Sequence, residues 1–175
     1  MNKIFRPQTL SPVPDGTLLS RLLNANDSQS DLSLDLPDCF SISAGTIKPK
    51  TSSKIHVMPF ITMATFVRSG SLTLKMKGPG DPKPYQQTLT AGQAALTEPG
   101  TFIQLINDNE KPCKTLYISS PAYVYEENRN RSVRYDDSLV LDEGWKTLAK
   151  AGWLPSRPMP TRAQRKKSKK RLAQS

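Results

Sequence analysis

The sequence has little of what metal and disulfide chemistry requires. Its 175 residues include one histidine, His56, and two cysteines, Cys39 and Cys113. A single histidine excludes a metal centre with several imidazole ligands from one subunit. Two cysteines provide neither a disulfide framework nor a CxxC metal pair. We expect buried free thiols in a reducing cytoplasm, although a pairing of the two stays open.

Long apolar runs are also missing. The longest run is only a handful of residues, too short to cross a bilayer, so we predict no membrane segment. The first residues, MNKIFRPQTLSPVP, have no apolar stretch before their prolines, and we expect no secretory signal. We therefore predict a cytoplasmic protein. The segment KGPGDPKP lacks the glycine spacing of a phosphate-binding loop.

The positive charge is concentrated at the C-terminal end. The net charge is +10, yet residues 156–175 contain eight basic residues and no acidic one. The other 155 residues have 17 basic against 15 acidic side chains. The basicity thus belongs to a tail and not to the body of the protein.

The segment TRAQRKKSKKRLAQS would carry positive charge on every side of a helix. We predict that it is disordered when free, because like charges repel and little apolar area offsets the ordering entropy. It is either a solvated tail, a nuclear import signal, or a binder of nucleic acid or another anionic surface. It has no aromatic side chain for base stacking, so nucleic-acid binding would be independent of sequence. The candidate residues for an anionic partner are Arg162, Arg165, Lys166, Lys167, Lys169, Lys170 and Arg171.

The middle of the chain, residues 40–126, has the texture of an all-β protein. Short runs rich in β-branched and aromatic residues alternate with Gly, Pro or Asn. In SLTLKM, Leu72, Leu74 and Met76 would face a core while Thr73 and Lys75 face outward. Many short strands with few helix signals indicate a sandwich or barrel.

The flanking segments are predicted to be different. Residues 1–39 form an N-terminal extension in which Thr17 caps a short helix with leucines 18, 19, 22 and 23 on one face. Residues 127–155 form a C-terminal helical segment, whose helix begins at Asp142 and is ended by Gly152. Residues 156–175 are the basic tail.

The order of the strands resembles the cupin superfamily, which has two signature motifs. The first, G-x5-H-x-H-x(3,4)-E-x6-G, is matched in spacing, but Met58 and Met63 stand where the family has its second histidine and its glutamate. The second, G-x5-P-x-G-x2-H-x3-N, is matched by two glycines and Asn107, with Ile103 at the histidine position. The resemblance implies a single cupin-type jelly-roll β-barrel and a homodimer.

A typical cupin metal site combines three imidazoles with a carboxylate, which this chain cannot supply. We therefore expect a barrel without metal or other cofactor, a soft His-Met-Met copper site being a remote alternative. The favoured function is binding of a small organic ligand, with His56 as polar anchor. The predicted lining residues are His56, Met58, Met63, Phe66, Ile103 and Leu105.

Alternative roles for His56 stay open. It could be a hydrogen-bonded core histidine, or a general base, since its ordinary pKa suits proton transfer near neutral pH. The resemblance then implies a metal-free isomerase or epimerase, with Tyr85, Tyr117 or Tyr123 or an aspartate as partner. A metal-dependent dioxygenase with unusual ligands is a further alternative.

Overall fold

The computed structural model describes residues 9–26, 38–150 and 158–174. Within these ranges antiparallel strands dominate, and the helices are short. The strands are β1 (Ser11–Pro12), β2 (Leu18–Leu23), β3 (Ser41–Ile47), β4 (Thr51–Ser52), β5 (His56–Val57), β6 (Thr62–Ser69), β7 (Ser71–Lys77), β8 (Tyr85–Thr90), β9 (Ala94–Thr97), β10 (Phe102–Asn107), β11 (Cys113–Ser120), β12 (Tyr125–Glu127), β13 (Val133–Asp136) and β14 (Leu139–Val140). The helices are α1 (Trp145–Leu148) and α2 (Arg162–Leu172).

Two large sheets form the body. The first has the order β1-β2-β3-β11-β6-β9, and the second has the order β14-β5-β10-β7-β8, with β4 also paired to β10. β12 and β13 form a separate two-stranded sheet. One core cluster joins residues of both large sheets, Val67 from the first and Leu74 from the second among them. This arrangement confirms the prediction of an all-β jelly roll.

The alternation predicted in β7 is present. Leu72, Leu74 and Met76 are buried, whereas the residues between them face the other way. Leu105 pairs with Leu74 across the neighbouring strand β10. Gly70 makes the tight turn from β6 to β7 with φ of +82°, a conformation that costs a side chain-bearing residue strain.

The leucine-rich segment after Thr17 is a strand and not the predicted helix. β2 pairs with β3, placing Leu19 opposite Gly45 and Arg21 opposite Ser43. Short apolar runs do not distinguish helix from strand by their spacing alone, and here pairing with a sheet edge satisfies the backbone. The predicted boundary at residue 40 therefore separates β2 from its partner, and the boundary at residue 126 cuts β12.

The predicted C-terminal helix is reduced to the single turn of α1. Leu148 is buried in a second cluster with Ile55, Val57 and Leu141. The predicted end of this helix, Gly152, lies outside the described residues. Neither described helix is long and apolar enough to span a membrane. Cys113 is a buried free thiol, but Cys39 is exposed, contrary to expectation.

The basic segment forms helix α2, where disorder was predicted. Thr161 and Gln164 form a capping box at its N-terminus, which satisfies two backbone N–H groups. Three of its cations meet carboxylates of the body. Arg165 Nε lies 3.0 Å from Asp137 Oδ1, Arg171 Nε lies 2.6 Å from Glu126 Oε1, and Lys169 pairs with Asp38. These contacts offset the repulsion on which the prediction of disorder rested.

Candidate functional site

A cavity of about 200 Å³ lies within the jelly roll. Side chains of both large sheets line it, together with the turn between β1 and β2 and residues around β12 to β14. Five of the six residues predicted to line a pocket are in its wall: His56, Met58, Met63, Ile103 and Leu105.

Phe66 is not in the wall. Along β6, Thr65 and Val67 are buried on the inner side, and strand alternation places Phe66 on the outer face. There it is paired in register with Leu116 on β11 and Ala94 on β9. The prediction assigned this side chain to the wrong face because its apolar character alone does not indicate a direction.

His56 is held from both sides by neighbouring strands. It pairs with Ile103 on β10 and with Val140 on β14. Its Nδ1 lies 3.2 Å from the carbonyl oxygen of Lys54 and 3.8 Å from Oδ2 of Asp15. A carbonyl only accepts, so Nδ1 carries the hydrogen, and the neutral ring keeps its lone pair on Nε2.

Asp15 is itself fixed by its own turn. Its Oδ1 accepts hydrogen bonds from the backbone N–H of Thr17 at 2.9 Å and from the Thr17 hydroxyl at 2.8 Å. The carboxylate thus lies beside the imidazole with one oxygen already occupied. In the sequence Asp15 precedes Gly16, a pair typical of a turn, and nothing in its spacing points to His56.

A second polar pair lies in the cavity wall. The Tyr123 hydroxyl donates to Oδ1 of Asp136, which also accepts from the backbone N–H of Ser138 at 2.8 Å. Burial raises the pKa of Asp136 from 3.8 to about 6, against the opposite effect of these hydrogen bonds. Burial, followed by the charge of Asp136, raises the pKa of Tyr123 well above its ordinary value. The wall therefore contains a carboxyl group that holds its proton to a higher pH than an exposed aspartate does.

Tyr117 supplies a wide apolar surface to the cavity. Its ring passes over Gly45, and its hydroxyl is buried, as is Oγ1 of Thr115. Burial raises its pKa above the ordinary value. Of the three candidate tyrosines, Tyr117 and Tyr123 line the cavity, while Tyr85 lies on β8 and is 46% exposed.

Sequence reasoning missed Asp15, Arg21 and Asp136, which also line the cavity. Arg21 was hidden because its segment was interpreted as a helix. Read as a strand, LLSRLL places Leu19 and Arg21 on one face, and this was the available signal. Asp136 lay beyond the predicted barrel and had no motif to indicate it.

The side chains present do not fit the usual cupin metal centre. Besides His56, the two cupin motifs need three more metal ligands. In this chain those three positions are occupied by Met58, Met63 and Ile103. Within residues 9–26, 38–150 and 158–174, no group of three His, Cys, Asp or Glu side chains is placed to hold a metal ion. Hydrophobic thioethers and an isoleucine instead make this part of the wall apolar.

A second surface lies along α2. The residues that dock the helix, Arg165, Lys169 and Arg171, are partly buried, whereas the remaining candidates for an anionic partner are exposed. The Arg162 guanidinium lies 5.7 Å from the centre of the Phe60 ring. The seven predicted cations thus divide into these three docked residues and an exposed group of four. The exposed group consists of Arg162, Lys166, Lys167 and Lys170.

Comparison with known proteins decides the fold. No family model and no curated protein matches the chain. The cupin domain of Drosophila melanogaster CENP-C is 16% identical, with 64% of this chain and 70% of that chain covered and a TM-score of 0.52. A double-stranded β-helix protein from Klebsiella pneumoniae is 17% identical, with 77% of this chain and 91% of that chain covered and a TM-score of 0.51. This chain has the cupin fold.

Other similar cupins differ in what they do. An oxalate oxidase is 18% identical, with 62% of this chain and 53% of that chain covered and a TM-score of 0.51. The CENP-C domain has also been solved bound to CAL1. Identities this low show the fold alone, and the cupin fold serves both catalysis and partner binding.

Proposed function

We propose that this cupin binds a small organic molecule in the cavity of its jelly roll. The observation that carries the proposal is the composition of the wall, in which apolar side chains such as Met58 and Leu105 surround a few convergent polar groups. Ligand sites commonly have this composition. A cavity of about 150 Å³ admits benzene, so the volume of about 200 Å³ suits a somewhat larger molecule.

The polar groups define the chemistry of such a ligand. Nε2 of His56 offers an acceptor, Arg21 brings positive charge to the wall, and the Asp136 carboxyl has a pKa raised to about 6. An apolar body with one or two hydrogen-bonding groups fits this wall. A multiply charged molecule does not, because little of the wall can replace its hydration.

A thermal-shift screen of small organic compounds tests the proposal. A compound present at about a hundred times its Kd stabilises the folded state by about 2.7 kcal/mol. His56→Ala should weaken the shift, and Ser119→Leu should abolish it by filling the cavity. Lys114→Ala, on the outer face of the same strand as Ser119, should leave it unchanged. If no compound of this size stabilises the wild type, the proposal is wrong.

A second candidate function is metal-free acid–base catalysis, such as isomerisation or epimerisation. It is favoured by the position of Asp15 beside His56, since a carboxylate near Nδ1 stabilises the imidazolium that forms when Nε2 takes a proton. Asp136, with its raised pKa, would return a proton. Deuterium uptake from heavy water into a carbonyl compound found in the screen tests this, and it should be lost in His56→Gln.

The dioxygenase alternative needs a ligand set that the described residues do not provide. Elemental analysis of the purified protein tests it directly. Stoichiometric iron, manganese, nickel or copper in the protein would support the dioxygenase alternative over metal-free ligand binding. A cytoplasmic location remains a prediction from the sequence.

We also propose that the protein is a homodimer that pairs through the outer face of its first sheet. Leu96 is 70% exposed and Ile118 is 38% exposed. Ala64 lies between them and is paired in register with each. Phe66 and Leu116 lie in the next row. We call these five residues the apolar sheet face. Contiguous exposed apolar surface of this kind favours association.

Association with nucleic acid through the basic segment is the remaining proposal. The exposed cations of α2 would supply it, since the docked ones already pair with carboxylates. Attraction to phosphates is salt-dependent, so the affinity should fall steeply as salt rises.

A further inference from the structure

An open groove runs between α2 and two loops of the jelly roll. Phe60, in the loop before β6, and Pro121, directly after β11, form its apolar side. Cations of α2 form the opposite side, and the groove has a volume of about 700 Å³. This groove is separate from the cavity that contains His56, since the two share no lining residue.

The exposed cations follow a line along the helix. Arg162, Lys166 and Lys170 are each four residues apart, so they lie on nearly the same side at intervals of about 6 Å. Among the described residues, Lys166 and Lys170 form no ion pair, and Arg162 contacts the face of Phe60. The charges of Lys166 and Lys170 are therefore available to a partner, and Arg162 lies where this line meets the aromatic ring.

We infer that the groove binds single-stranded nucleic acid, with a base against Phe60 and successive phosphates along Arg162, Lys166 and Lys170. A polyanion satisfies the row of cations. The aromatic floor favours a strand whose bases are unpaired, because only unpaired bases present a free face for stacking. This inference goes beyond ligand binding in the cavity and rests on the association of α2 with nucleic acid proposed above.

The feature that decides for a single strand is Phe60. The basic segment itself contains no aromatic residue, so its sequence alone predicts attraction to any polyanion. A duplex would contact the cations, but its paired bases could not stack on the Phe60 ring. An acidic peptide has no base to stack there either. The fold brings an aromatic ring from about a hundred residues earlier in the chain to the basic helix.

Fluorescence anisotropy titrations test the inference with the full-length protein. The probes are a labelled oligothymidine, an oligouridine, a mixed-sequence duplex of equal length and polyglutamate. Phe60→Leu keeps apolar volume but removes the aromatic face, and it should weaken single-strand binding about five-fold or more without changing duplex binding. Lys166→Gln with Lys170→Gln should weaken both and lower the salt slope by about two. Lys83→Gln with Lys111→Gln, at exposed positions elsewhere, is the matched control for charge.

The outcomes separate the two proposals. If single strand and duplex bind equally and Phe60→Leu changes neither, the groove inference is wrong while association through α2 stands. If the wild type binds no nucleic acid at low salt, both are wrong. If polyglutamate binds as tightly as oligothymidine, the groove accepts any polyanion without selecting a nucleic-acid strand, and the inference is wrong.

Discussion

Gly45 on β3 lies directly under the ring of Tyr117 on β11. A Cβ atom at position 45 would be 2.3 Å from Cε2 of that ring and 2.5 Å from Oγ1 of Thr115. Real carbon atoms do not approach so closely, so glycine is required here by space and not by its backbone conformation. Because Gly45 has no side chain, the Tyr117 ring can occupy this position and form an aromatic part of the cavity wall.

Gly45→Ala should destabilise the protein by about 1 to 3 kcal/mol, because the ring must move off a well-packed position. The measurement is the free energy of unfolding in urea. Gly80→Ala is the control, since a Cβ at position 80 would have no atom within 4 Å. The double variant Gly45→Ala with Tyr117→Leu should lose less than the two single variants together. Equal losses for Gly45→Ala and Gly80→Ala would contradict the packing argument.

Arg165→Met should cost about 3 to 5 kcal/mol, because it leaves the fully buried Asp137 carboxylate without its cation. Arg165 also donates to the backbone carbonyl of Ala122 at 2.7 Å. Lys169→Met, on the same helix, breaks a pair with the exposed Asp38 and should cost at most about 1 kcal/mol. Thermal and urea unfolding measure both. Equal losses would show that α2 is not docked through Asp137.

The stability should depend on the proton of Asp136. Burial raises the pKa of this carboxyl from 3.8 to about 6, so the folded state holds the proton more tightly than the unfolded state. Its contribution to stability is complete below pH ~4 and is lost as the pH rises through ~6, by roughly 2 to 3 kcal/mol.

Unfolding in urea at a series of pH values measures this contribution as the difference between wild type and Asp136→Asn. Across the window from pH ~4 to ~6, the wild type should lose stability relative to the variant. Asp108→Asn, at an exposed position after β10, is the control and should follow the wild type. A constant difference between wild type and Asp136→Asn would show that the carboxyl has its ordinary pKa.

Leu96→Glu should convert the proposed homodimer to a monomer, because it places a charge at the most exposed position of the apolar sheet face. Light scattering coupled to size exclusion measures the mass. Val133→Glu adds the same charge at another exposed apolar residue, 50% exposed on β13, and should leave the dimer intact. A monomeric wild type, or a Leu96→Glu variant that remains dimeric, would overturn this interface.

Local patterns explain why much of the jelly roll could be predicted. Alternation in β7 and the turn at Gly70 depend on neighbours in sequence. Asn107, predicted from motif spacing, is fully buried, and its amide nitrogen lies 3.0 Å from the carbonyl oxygens of both Ile47 and Lys111. Because the turn needs these hydrogen bonds, it requires an asparagine at one position, and a short motif is enough to recognise it.

Contacts between distant segments explain what could not be predicted. The order in α2 depends on Asp137 and Glu126, which precede Arg165 and Arg171 by 28 and 45 residues. Charge density alone predicted repulsion, because the sequence does not show where the compensating carboxylates lie. The composition of the candidate site could not be predicted for the same reason. His56 and Asp136 line one cavity but belong to separate sheets.

Asp136 and Asp137 are consecutive, yet they serve different surfaces. The first lines the cavity, and the second binds Arg165 of the basic helix. One peptide bond therefore connects the proposed small-molecule site to the helix that presents positive charge outside. Any ligand that shifts this short stretch of chain changes the free energy of docking α2, and by linkage whatever occupies α2 changes the affinity of the cavity by the same factor.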